Sequence, residues 1–174
     1  MDHRKHLIDG GAAGGAGVRW YRDRAFRQAF FGRYLPGIAI ANLVWELAQL
    51  PLFTLWTEAS RGFIAYAVFH CTVGDVLIAA SALLLAMCLA APLGFPERGL
   101  VRVAVVATLV AVAYTALSEW LNTQVRASWT YAPSMPVVPI LNVGLAPLAQ
   151  WLVLPPAVVA AAFRSRQGSF LASR

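Results

Sequence analysis

Four long apolar runs organise the chain: roughly Pro36 to Trp56, Phe63 to Ala91, Leu100 to Leu121 and Val138 to Phe163. Each reaches the about 20 residues that an α-helix needs to cross about 30 Å of hydrocarbon. The second is long enough to tilt or to project beyond the bilayer. The pattern predicts an all-α fold: a polytopic membrane protein whose four spans form a transmembrane bundle over residues 36–163. Pro51, Pro147, Pro155 and Pro156 are expected to bend or end their helices locally. Residues 1–18 carry Gly10, Gly11, Gly14, Gly15 and Gly17 and read as a flexible tail, with His3 and His6 solvated in it. They lack the apolar segment of a signal peptide. Residues 19–35 interleave Arg19, Arg22, Arg24, Arg27 and Arg33 with Trp20, Tyr21, Phe26, Phe30, Phe31 and Tyr34. That mixture suits a short helix lying at headgroup level. Residues 164–174 are expected to form a cytoplasmic tail.

Composition sharpens the class. Hydrophobic residues make up 59% of the 174 and charged residues 13%, against about 45–50% and about 25% in ordinary soluble domains. A chain this short cannot hide that much apolar surface in one water-soluble core. Disorder, a secreted disulfide scaffold and a typical cytosolic enzyme are excluded. Cys71 and Cys88 fall in one run, about 25 Å apart if it is helical, too far for a disulfide. They read as small packing residues.

The net charge of +6 would suit nucleic acid, but its placement argues otherwise, and no zinc-finger or RNA-binding motif accompanies it. No nucleic-acid partner is expected. Seven Lys and Arg residues lie before residue 34; with Arg98, Arg102, Arg164, Arg166 and Arg174 they make twelve on one side of a four-span topology. Only Arg61 and Arg126 fall on the other. This bias predicts a multi-pass membrane protein with both termini cytoplasmic. The longer outer loop, Thr123 to Val137, contains Trp129, Tyr131, Pro133, Met135 and Pro136. It reads most simply as part of an interfacial aromatic belt, and alternatively as a lid folded over the helices.

Ionisable groups at membrane depth mark functional interiors by default. Glu46 and Asp75 fall about ten and about twelve residues into their spans, near the midplane at 1.5 Å per residue. His70 lies nearer the outer surface, and Glu119 near the outer end of the third span. Asn42, Glu46 and Gln49 share one helical face, as do Thr115, Glu119 and Asn122. Asn142 and Gln150 are expected in line on the fourth helix. Cys71, Asp75 and Ala79 share a face of the second, with Gly74 beside it, where small residues permit close approach. His70 and Asp75, five apart, do not share a face. In lipid these stripes point inward or into a wet cavity.

Two carboxyls close together in low dielectric cannot both ionise cheaply. A protonated acid beside an ionised partner is the arrangement that delivers and removes protons. Glu46 and Asp75 are therefore the candidate acid and base, expected to face one another across a shared cavity. His70 is a candidate proton relay or, alternatively, a metal ligand beside Glu46, Asp75 or Glu119. No metal site is favoured and no cofactor is expected, and there is no His-Glu-x-x-His, nucleophile elbow or P-loop.

The stretches Asn42-Leu43-Val44-Trp45-Glu46 and Trp151-Leu152-Val153-Leu154-Pro155 resemble the emopamil-binding (EXPERA) family, small helical membrane proteins that include sterol double-bond isomerases. The chain also looks like four-span membrane proteins of proteobacteria, and that resemblance implies a bacterial inner membrane. The EXPERA resemblance implies that Glu46 is the first-helix acid and that Trp151 lines the ligand cavity. Asn42 stands where the isomerases have His. Asp75 lies four residues beyond the Cys of the second helix, where the family has its Glu nearer.

Together these features point to binding of an apolar or isoprenoid-like membrane ligand in an intrahelical cavity, with acid–base chemistry as an added step. Asn42, Gln49, Glu119, Asn142 and Gln150 would orient ligand or water, and Trp45 and Trp151 would stack on it. The partners expected are a membrane lipid or hydrophobic small molecule, and a membrane-protein partner or second copy. Two alternatives stand beside this: a proton, metal or small-solute transporter using the same carboxylates as a relay, and a non-catalytic subunit of a larger membrane complex.

Overall fold

The computed structural model describes residues 20–90 and 99–163. The expected tails at 1–18 and 164–174, and Arg98, lie outside the described residues. A 3-10 turn (Trp20–Arg22) leads into α1 (Arg24–Ala29), a π-helical turn (Phe30–Tyr34) and α2 (Leu35–Gln49). After a second 3-10 turn (Leu50–Leu52) come α3 (Leu55–Glu58), α4 (Arg61–Ala90) and α5 (Gly99–Trp120). A π-turn (Leu121–Val125) extends α5, a short hairpin pairs β1 (Val137–Val138) with β2 (Val143–Gly144), and α6 (Leu145–Phe163) follows.

Four helices are long and apolar enough to span a membrane: Arg24–Leu52, Arg61–Leu89, Gly99–Val125 and Leu145–Phe163. Within each apolar window only 22–33% of residues are buried inside the bundle. Most of the apolar surface therefore needs lipid as its solvent. The chain is an all-α, multi-pass membrane protein. Its spans pack in a ring, α2 against α4 and α6, and α5 against α4 and α6. The end of the ring carrying residues 50–60 and 121–144 is called the hairpin end, and the opposite one the terminal end.

Local chemistry explains the element boundaries. Asp23 caps α1, its Oδ1 accepting from the Ala25 and Phe26 amides at 2.8 and 3.2 Å, which satisfies two of the orphan donors of the first turn. Pro36 lies just after the π-helical turn and offers no N–H to the carbonyls of that turn. The segment expected to lie apart over 19–35 instead runs helically into α2 from Arg24 and buries Phe26, Ala29, Phe30 and Tyr34 in the bundle. The π-turn accommodates one extra residue and lets a stack form, with Phe26–Phe30 and Phe30–Tyr34 centroids 5.9 and 5.8 Å apart. Phe163 stacks on Phe26 at 5.8 Å, and the Tyr34 hydroxyl donates to the Ala79 carbonyl at 3.1 Å.

Small residues set the helix spacing. Val103, Ala107, Ala111, Thr115 and Glu119 recur every fourth residue on α5 and are all buried. Ala79, Ala82 and Ala86, spaced three and four residues apart, form a buried small-residue stripe on α4. Such stripes let backbones approach in lipid, where packing replaces the hydrophobic drive. Gly37 faces α6 closely enough that a Cβ would stand 3.1 Å from Val158 Cγ1.

One expectation is corrected here. The fourth span begins at Leu145, because residues 137–144 form the hairpin rather than helix. Pro155 and Pro156 lie inside α6, which continues to Phe163. Pro147 sits in its first turn, where a missing N–H is tolerated.

Candidate functional site

The interior of the bundle is divided along its axis. In the terminal half it is apolar: Phe30, Tyr34, Ile38, Leu83, Met87, Val103, Val159 and Phe163 are all buried there. The buried polar side chains Asn42, Gln49, Thr115, Glu119 and Gln150 occupy the remainder, toward the hairpin end.

Gln150 on α6 joins three helices. Its Nε2 donates to Asn42 Oδ1 at 2.7 Å and to Asp75 Oδ2 at 2.8 Å. Its Oε1 accepts from Gln49 Nε2 at 3.4 Å. Gln49 Nε2 also donates to Glu46 Oε1 at 2.9 Å, and Gln49 Oε1 accepts from the Trp45 indole at 3.2 Å. Asn42 closes the chain by donating to the Ile38 carbonyl at 2.8 Å. Both amide protons of Gln150 and of Gln49 are thus used. The i, i+3, i+4 and i+7 spacing of Asn42, Trp45, Glu46 and Gln49 is what lets a single helix present all four.

At the edge of this network the Glu46 and Asp75 carboxyls, one from α2 and one from α4, are linked to each other through Gln49 and Gln150 and stand close enough to interact electrostatically. Neither residue is fully enclosed, and each keeps intermediate exposure. Both also feel the charge of Glu119. Cys71, one helical turn from Asp75 on the same face, lies near all three carboxyls.

Glu119 anchors the loop above. Its Oε2 accepts from the Tyr131 hydroxyl and, at 3.5 Å, from the Trp129 indole. The Tyr131 oxygen in turn accepts from the Gly144 amide at 2.9 Å. Burial and the Glu119 carboxylate push the Tyr131 phenol above its ordinary value. The same loop is stitched to the first connection. The Thr54 amide donates to the Thr130 carbonyl (3.1 Å) and the Ala132 amide to the Leu52 carbonyl (2.9 Å). The Thr54 and Thr130 hydroxyls meet at 2.7 Å, and the Phe53 and Tyr131 rings lie 5.5 Å apart. The loop is therefore a roof over the hairpin end rather than a simple aromatic belt.

Two candidates fall away from the cluster. His70 is exposed on the outer face of α4 and stacks on Tyr66 at 5.6 Å; it lies off the Cys71–Asp75 face, as five-residue spacing dictates. Asn142 is not on α6. It is exposed at the hairpin turn with φ 54°, and its side-chain amide reaches Gln124 Oε1 at 3.5 Å. Asn and Asp tolerate that left-handed conformation better than other side chains. Trp151 is buried at 2% exposure within the core. Among the described residues no group of three or more His, Cys, Asp and Glu side chains is placed to hold a metal ion.

Trp129 and Tyr131 join the site from a loop, ten and twelve residues away from Glu119, and no periodicity announces such a partnership. Their only sequence signal was aromatic enrichment beside the span.

No family model, curated protein or solved structure matches the chain.

Proposed function

We propose that the protein binds an apolar or amphipathic, isoprenoid-like membrane ligand in the hairpin-end half of the bundle, and that Glu46 and Asp75 serve as proton donor and acceptor toward it. The observation that carries this reading is the pairing of two carboxyls from neighbouring helices at membrane depth, beside a network that spends three amide side chains on holding them. Buried carboxylates are an expensive way of joining helices, and a shared proton supplies an acid and a base at one place. Trp45 lies beside the pair, and an aromatic face stabilises a developing cation. The EXPERA resemblance supports the same class of ligand and chemistry. The bias of Lys and Arg supports cytoplasmic termini, which turns the polar half and its roof toward the outer leaflet, and the resemblance to four-span membrane proteins of proteobacteria supports a bacterial inner membrane.

The transporter reading is less favoured, because the apolar terminal half interrupts any relay of polar groups. The reading as a non-catalytic subunit draws on a specific observation: the amides of Gln49 and Gln150 are satisfied within the chain, as structural glue would be.

Native mass spectrometry of gently extracted protein separates these readings. Retained lipid in the wild type that Glu46→Gln no longer holds or converts, with the bundle still folded, supports the ligand site. Retention and turnover identical to wild type in Glu46→Gln and Asp75→Asn would reduce the pair to glue. Co-purification of a stoichiometric protein partner without lipid would move the subunit reading ahead.

A further inference from the structure

The hairpin that precedes α6 is apolar, uncharged and outward-facing. From Ala127 to Phe163 the chain has no Asp, Glu, Lys or Arg. At the hairpin tip Ile140 is 94% exposed, with Leu141 and Val137 also open. A loop standing in water has no reason to present such a tip, and single exposed apolar residues elsewhere on a soluble protein are scattered rather than contiguous.

Its level in the membrane follows from α6. Nineteen residues at 1.5 Å each span about 28 Å, close to the about 30 Å hydrocarbon core. The boundary of that core therefore falls near Leu145, and the hairpin starts where the headgroups start. Leu145, Leu152 and Val153 are exposed on α6, so the tip continues the lipid-facing surface of that helix.

The stem of the hairpin pairs its own backbone. Val137 pairs with Gly144 and Val138 with Val143. The Asn142 amide donates to the Val138 carbonyl at 2.8 Å, and the Leu145 amide to the Pro136 carbonyl at 2.7 Å. Pro136 and Pro139 have no N–H to satisfy. Backbone groups paired internally are what lipid contact demands.

We infer that the tip of the 137–144 hairpin is seated in the bilayer, with Ile140 and Leu141 immersed at the boundary between headgroups and acyl chains. The occupant of this apolar face is lipid, not a protein. The hairpin thereby moors the roof to the leaflet: β2 ends at Gly144, whose amide holds Tyr131, which holds Glu119. This seating does not depend on any chemistry at Glu46 and Asp75.

The test uses the full chain in nanodiscs of phosphatidylglycerol and phosphatidylethanolamine, with Cys71 and Cys88 replaced by serine. A single cysteine at Ile140 (Ile140→Cys), and separately at Leu141 (Leu141→Cys), carries an environment-sensitive fluorophore. Glu58→Cys is the water-facing reference and Leu152→Cys the lipid-facing one. The expected result is that labels at 140 and 141 are blue-shifted and lose most of their emission to brominated lipids, as at 152, while iodide leaves them nearly untouched. Iodide quenching at both tip positions equal to that at 58 overturns the inference. Labels shielded from both quenchers, with cross-linking between chains, would show a second copy on the tip and overturn it equally.

Discussion

Gln150 is the side chain on which three spans converge, and Gln150→Leu tests that role with little change in volume. The substitution removes the bonds to Asn42 and Asp75, at 2.7 and 2.8 Å, and the acceptor for Gln49. Interhelical side-chain bonds in membranes are worth about 0.6 kcal/mol on average and at most about 1.7. Two lost donors therefore remove roughly 1–3 kcal/mol. Asn42 is fully buried, so its stranded oxygen keeps the loss toward the upper part of that range, since an unsatisfied buried acceptor costs about 1–3 kcal/mol. Reversible unfolding in mixed micelles measures the loss. Double-mutant cycles of Gln150→Leu with Asn42→Ala and with Asp75→Asn divide it. Coupling of about 0.6 kcal/mol or more in both cycles is expected. Coupling indistinguishable from zero in both would refute the idea that Gln150 ties α6 to α2 and α4.

Gly37→Leu should separate α2 from α6, since even a Cβ stands 3.1 Å from Val158; overpacking of this kind costs about 1–3 kcal/mol, read in the same unfolding assay. Tyr131→Phe removes the bonds to Glu119 and Gly144, and faster amide exchange at residues 129–144 with unchanged exchange in α4 is the expected signature. Because the folded protein holds the Tyr131 proton above the ordinary range, the tyrosine's stabilisation is complete below pH about 10. It declines as pH rises further, because the unfolded chain loses that proton first. Roof exchange should therefore accelerate on the alkaline side, and less so in Tyr131→Phe. His70→Ala should change stability by no more than about 0.5 kcal/mol and leave ligand retention at the wild-type level, because His70 faces away from the carboxyl pair.

The spans were legible because twenty-residue apolar runs have one physical solution in lipid. The face of Asn42, Glu46 and Gln49 was legible because helical spacing is fixed at 3.6 residues per turn. The encounter of Glu46 with Asp75 followed from depth and from helices joined by a short connection, which makes them neighbours. Other features needed tertiary contacts. Residues 138–144 look like more of the fourth helix by hydropathy, yet Pro139 and the left-handed Asn142 turn them into a hairpin. The cations of 19–35 suggested a surface helix, whereas Phe26, Phe30 and Tyr34 are drawn inward by packing on Phe163 and Ala79. Depth alone brought His70 into consideration, and its azimuth on α4 takes it out. Tyr131 was hidden because a loop's fold-back has no period to read.

Infrared spectroscopy of the protein in nanodiscs at neutral pH addresses the carboxyl pair most directly. If Glu46 and Asp75 share one proton, the wild type shows a protonated-carboxyl carbonyl band that disappears in the Glu46→Gln/Asp75→Asn double variant, while any contribution from Glu119 remains in both. An identical carboxyl band in wild type and double variant would contradict the shared proton, and with it the acid–base reading of the site.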